Sequence, residues 1–134
     1  MLKVERIEKN GRILAIILRS SKSDSPVEFV TPKEFPLQLG VHKRKKKDYV
    51  NAHEHTAINN LKNLPIQEIF FLKKGKILVG LYDDKKLYKN VKIFKGDIIL
   101  LNTGNSVRFL EDTDMVEVKQ GPYAGAVQEK KSIS

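Results

Sequence analysis

The chain has 134 residues, 40% of them hydrophobic and 31% charged, with 25 Lys and Arg against 16 Asp and Glu and a formal charge of +9. That length suits one domain with a core of its own. The absence of cysteine excludes disulfides, thiolate metal sites and cysteine nucleophiles, and the longest apolar run, Ile13 to Leu18, is far short of the roughly 20 residues a membrane-spanning helix needs.

The opening residues, Met1 to Arg12, mix acids and bases ahead of that run, unlike a signal peptide, and a cytoplasmic protein is the expectation. The segments LKVERIEK and RILAIILRS flank Asn10-Gly11, the strongest short-range signal of a β-hairpin. A polar loop, SSKSDSP, leads to VEFV and then to FPLQLGVHKR. The basic run His42 to Lys47 reads in two ways. It is a phosphate-binding patch, or a solvated edge strand whose lysines discourage unwanted pairing. His42 itself reads as a surface histidine.

DYVNAHEH, Asp48 to His55, has the look of a strand. Alternation with period two would then turn His53 and His55 to one face and Glu54 to the other. Two imidazoles on one face are a metal site, an acid/base pair, or polar lining of a barrel mouth. The connection TAINNLKNLP follows, read as a lid or rim beside a site, or as a longer link packed on the edge. Next come QEIFFLKK, Gly75, and KILVGLYDDKKLYKNVKIFKG, a hairpin turning at Asp83-Asp84-Lys85. DIILLNTGN, VRFLEDTD and MVEVKQGPY complete about ten short strands at even spacing, the pattern of an all-β sandwich or barrel. The acidic stretch Glu111 to Asp114 lacks the spaced ligands and glycine of a calcium loop and reads as a hairpin turn. Residues 1–125 form the expected domain and 126–134 a loose tail. Several strands are apolar on both faces, so the outer face of one sheet needs a cover, either the N-terminal hairpin or a second subunit.

His53-Glu54-His55, then Glu68, the run IFFLKK and Gly75 resemble the first motif of small cupins. Gly96, the run DIILL, Asn102-Thr103-Gly104 and Val107 follow the frame of that family's second motif. The 20 residues between Gly75 and Gly96 have the usual length for the hairpin between the motifs, and the resemblance spans Phe35 to Tyr123. MVEVKQGPYAG further resembles the closing strand of small bacterial cupins associated with surface-polysaccharide synthesis. The chain departs from the frame at four points. Lys47 stands where the first glycine belongs, twelve residues separate His55 from Glu68 where three or four are usual, Asn102 replaces a proline, and Val107 stands at the fourth ligand position.

What the resemblance implies is a cupin-type double-stranded β-helix, a jelly-roll barrel with an extra N-terminal β-hairpin, assembled as a homodimer. It implies a divalent metal on His53, His55 and Glu68, with Asn105 or water completing the shell, in a barrel mouth that takes a small polar molecule such as a sugar derivative. Tyr49, Asn105, Arg108 and Tyr123 would line that mouth. An enzyme of carbohydrate metabolism is one expectation; activity itself is left open. A metal-free nucleotide-sugar isomerase or epimerase is the alternative, with His53 and His55 as acid and base and Arg44 or Arg108 on the pyrophosphate. A third reading is a basic nucleic-acid-binding β-barrel acting through Arg44 to Lys47.

Overall fold

The computed structural model describes residues 2–56 and 64–121, and these hold ten β-strands and no helix. Strands β1 (Leu2–Lys9) and β2 (Arg12–Ser21) form the expected hairpin. Asn10 and Gly11 carry φ of 52° and 77°, the pair of left-handed residues that a tight two-residue hairpin turn demands. The short strands β3 (Val27–Phe29) and β4 (Gly40–His42) pair with each other only. Then come β5 (Glu68–Lys74), β6 (Lys76–Asp83), β7 (Lys86–Phe94), β8 (Ile98–Leu101), β9 (Asn105–Phe109) and β10 (Asp114–Lys119).

Two antiparallel sheets enclose the core. One has five strands in the order β1-β2-β8-β5-β10, the other three in the order β7-β6-β9. Ala15, Ile17, Phe70, Leu72, Ile99 and Leu101 from the first meet Ile77, Val79, Leu81, Val91 and Ile93 from the second. Each set recurs at every second residue, so a single strand face supplies it. The alternate residues of β2 and β8, Ile16 and Leu100, are buried on the other side of the five-stranded sheet, under Phe35, Leu37, Leu39 and Val30. The apolar runs on both faces of these strands thus have two separate partners.

The cover over that outer face corrects an expectation. It is the irregular segment around Phe35 to Leu39, whereas the N-terminal hairpin lies within the sheet, with β2 between β1 and β8. Of FPLQLGVHKR only Gly40–His42 is strand, because the segment uses its apolar side chains as a lid on β2 and β8 and the N–H groups of Phe35, Leu37 and Leu39 bond to the Pro32 carbonyl and to the Gln67 and Thr31 side chains. Gln38 Nε2 donates to the carbonyls of Pro32 and Phe35, and Thr31 Oγ1 donates to Gln38 Oε1.

Gly75 turns the chain from the first sheet into the second. Its φ is 96°, and a Cβ there would lie 2.5 Å from the Asp112 carbonyl oxygen and 2.6 Å from Thr113 Oγ1, so only glycine fits this corner. The same contact explains a second correction. Glu111 to Asp114 is no hairpin turn, since it carries the chain from β9 in the three-stranded sheet to β10 in the five-stranded one. By contrast β6 and β7 form the expected hairpin, with Asp84 and Lys85 at φ of 49° and 64°.

Candidate functional site

Antiparallel partners point to the same side of their sheet, so the register locates each inward side chain. Glu68 pairs with Leu101 on β8 and Lys119 on β10 and shares the face of Phe70 and Leu72. Its carboxylate therefore belongs to the inner side of the sandwich, at the end where Leu101 leads into Asn102. On the opposing sheet Asn105 pairs with Leu81, which also pairs with Lys89. Leu81 is a core residue, so Asn105 and Lys89 stand on the inner face as well. That face is apolar through Val79, Ile77 and Leu72, and turns polar at one end with Glu68, Glu117, Lys119, Lys89 and Asn105. Glu68, Asn105 and Lys119 are half-buried there; Glu117 and Lys89 are exposed.

A buried amide network fixes this end. Gln67 is fully buried; its Oε1 accepts from the Leu37 N–H at 3.1 Å and its Nε2 donates to Asn102 Oδ1 at 2.9 Å. Asn102 Nδ2 donates to the Ile13 carbonyl at 2.8 Å, and the Gln67 N–H donates to Gln120 Oε1 at 2.7 Å. Five segments distant in sequence, those of Ile13, Leu37, Gln67, Asn102 and Gln120, are thereby tied at the root of Glu68. Asn102, read as a departure from a motif proline, is here the junction of that network. Gln67 was missed from sequence, because a glutamine beside a strand start gives no sign of being buried.

The histidines are placed differently from expectation. Residues 49–56 form no strand, and every residue from His42 to Thr56 is exposed. With no apolar burial to offset the ordering of a strand, the segment bonds locally: His53 Nδ1 lies 2.8 Å from the Asn51 carbonyl oxygen, a short-range contact that competes with ladder pairing. His53 and His55 still meet, with ring centroids 5.1 Å apart at an interplanar angle of 69°. They do so on an exposed loop and not by strand alternation. Among the described residues no group of three or more His, Asp or Glu side chains is gathered to hold a metal ion, so His53, His55 and Glu68 do not form a three-donor centre here.

The remaining expected residues separate. Tyr49 is exposed at 75%. Arg108 pairs with Leu78 and so lies on the outer face of the three-stranded sheet, away from Asn105. Val107 packs against the core, so the position expected to carry a fourth ligand is filled by apolar packing. Arg44 is exposed, and its Nε donates to His42 Nδ1 at 3.3 Å. Lys43 to Lys47 lie in a loop beyond β4 and not in an edge strand. Tyr123, the tail, and most of the connection read as a lid lie outside the described residues. A cleft of about 480 Å³, bounded by Leu2, Val4, Arg6, Glu28, Phe29 and Val30, includes none of the expected site residues. No family model, no curated protein and no solved structure matches this chain.

Proposed function

We propose that the protein is a small-molecule-binding β-sandwich of the cupin type, taking a small polar ligand such as a sugar derivative at the polar end of its inner face. One observation carries this reading: an inner surface that is apolar along its length ends in a carboxylate, an amide and cations drawn from both sheets. Ligand sites commonly use a few precisely placed polar groups, here set at the margin of a closed apolar core that is fully buried up to Leu81 and Leu101. Glu68 would accept from ligand hydroxyls, Asn105 would donate and accept, and Lys89 and Lys119 would face anionic oxygens. The two-motif frame around Glu68 and Gly96 supports the double-stranded β-helix as the form of the sandwich. The three donors expected of a metal centre are not assembled, so no step is routed through a metal.

The test is a melting scan with neutral hexoses, deoxysugars and nucleotide-linked sugars, together with elemental analysis of the purified protein. A ligand bound only by the native state at one hundred times its Kd adds about 2.7 kcal/mol of stability. The expected result is stabilisation by one of these classes, lost in Glu68→Gln and Asn105→Ala. No stabilisation by any class refutes the reading. Stoichiometric metal, lost together from His53→Ala, His55→Ala and Glu68→Ala, would establish instead that the imidazoles and the carboxylate share a centre.

A second reading has an observation of its own. The close imidazole pair keeps acid/base chemistry by His53 and His55 open, as in a metal-free isomerase. In that case both single alanine variants abolish turnover of a nucleotide-linked sugar while leaving its binding intact.

A further inference from the structure

At the far end of β2 from Arg12, and so remote from Glu68, the chain leaves the sheet through the loop after Ser21. Ser21, Lys22, Ser23 and Asp24 from this loop and His42 and Lys43 from the end of β4 bound a cleft of about 320 Å³. That is near the lower limit for small-molecule sites, about 300 Å³, and suits a phosphoryl group with a short attachment. We infer that this cleft is an anion site for the phosphoryl group of a small phosphate ester or diphosphate.

Charge is the first support. Lys22 and Lys43 to Lys47 are all exposed, and among the described residues none of these cations makes an ion pair. The nearby acids are engaged otherwise: Glu28 Oε1 accepts from Ser23 Oγ at 3.0 Å, and Asp48 Oδ2 accepts from the Lys45 N–H at 2.8 Å. Against six cations, Lys22, Lys43, Arg44 and Lys45 to Lys47, stand three carboxylates, Asp24, Glu28 and Asp48, so the surroundings of the cleft are net positive and no ion pair among the described residues need be displaced by an anion.

The ring of His42 is the second support. An arginine nitrogen can only donate, so the 3.3 Å contact from Arg44 Nε makes His42 Nδ1 an acceptor. The neutral ring then carries its proton on Nε2 and presents a donor. A phosphoryl oxygen, which only accepts when ionised, is the complement of such a donor beside two ammonium groups.

The loop that carries Lys22 is held in shape, which is the third support. Ser23 is buried, and its hydroxyl accepts from the Ser25 N–H at 3.1 Å while contacting Glu28. Ser20 Oγ accepts from the Lys22 N–H, and the Lys43 N–H donates to the Pro26 carbonyl at 3.0 Å. These bonds fix the backbones bearing both lysines relative to each other. Asp24 is the one carboxylate on the wall; it disfavours bare phosphate and would accept from a hydroxyl of an ester. The concave shape favours a small ligand over a polymer, whose backbone would track the open run Arg44 to Lys47.

Calorimetric titration with inorganic pyrophosphate and with inorganic phosphate tests this. Pyrophosphate should bind, Lys22→Gln combined with Lys43→Gln should weaken it at least tenfold, His42→Ala should weaken it several-fold, and Asp24→Asn should tighten it. Lys86→Gln, at the β6–β7 hairpin near Arg12 and outside both proposed sites, should leave it unchanged. Melting profiles of each variant separate lost binding from lost folding. Absence of binding at millimolar pyrophosphate overturns the inference. So does binding untouched by the Lys22 and Lys43 substitutions. Single-stranded oligonucleotide binding that depends on Arg44 to Lys47 but not on Lys22 also overturns it, in favour of a nucleic-acid surface.

Discussion

Asp97 shows how one buried charge organises its surroundings. It is almost completely buried, yet its Oδ2 accepts from Arg19 Nη1 at 2.6 Å and from the Phe94 N–H at 2.9 Å. Arg19 in turn donates to the Lys92 carbonyl at 2.8 Å and to Glu5 Oε2 at 3.2 Å, joining the two sheets. Removing the carboxylate leaves the Phe94 N–H without its acceptor and takes one of three partners from Arg19, so Asp97→Ala should lower unfolding free energy by about 1–3 kcal/mol in urea denaturation. The exposed pairs of Asp83 with Lys9 and Arg12 should contribute far less, and Lys9→Ala serves as the contrast. None of this was legible in the sequence. Asp97 reads only as the head of the strand DIILLNTGN, and Arg19, 78 positions earlier in the chain, bears no local sign of its partner.

Among the elements, the corner at Gly75 decides most. The strands β5 and β6 are separated by this one residue, yet they enter different sheets. A side chain here meets both a positive φ and the backbone of residues 112 and 113. Gly75→Ala should therefore cost about 1–3 kcal/mol, and Gly11→Ala, where φ is positive but nothing lies within 4 Å, should cost less. Comparison of the two in thermal unfolding isolates the packing contribution. The glycine was conspicuous in the sequence as a strand boundary; that it divides sheets was not. Strand alternation describes one strand's two faces and says nothing about which neighbour it will pair with.

For the whole molecule, β10 is an edge of the five-stranded sheet among the described residues, and its outward residues Val116 and Val118 are 45% and 50% exposed beside Phe71 at 39%. Exposed apolar side chains at a sheet edge favour association, and we propose that a second copy covers them, giving the homodimer that the sequence resemblance implies. Two-fold antiparallel pairing about Val118 would set Glu117 against Lys119 of the partner subunit, an opposite-charge match that supports self-pairing. Light scattering after size exclusion should give a dimer mass, with Val118→Lys monomeric and Glu117→Lys dissociating at lower dilution. A monomeric wild-type protein at high micromolar concentration rules this interface out.

Local chemistry by itself determined the all-β class, the hairpins at Asn10-Gly11 and Asp84-Lys85, and the apolar character of both faces of β8. Turn conformation and alternation are properties of neighbouring residues, and Asn, Gly and regularly spaced aliphatic side chains express them directly. Only the tertiary structure decided that Phe35 to Leu39 cover the sheet, that Gln67 and Asn102 tie down the polar end, and that His53 and His55 meet on an exposed loop apart from any strand. The first two depend on surface shared between segments far apart in the chain, and the third on the lack of any such surface around the histidines. Burial of that kind exists only once the sheets have met.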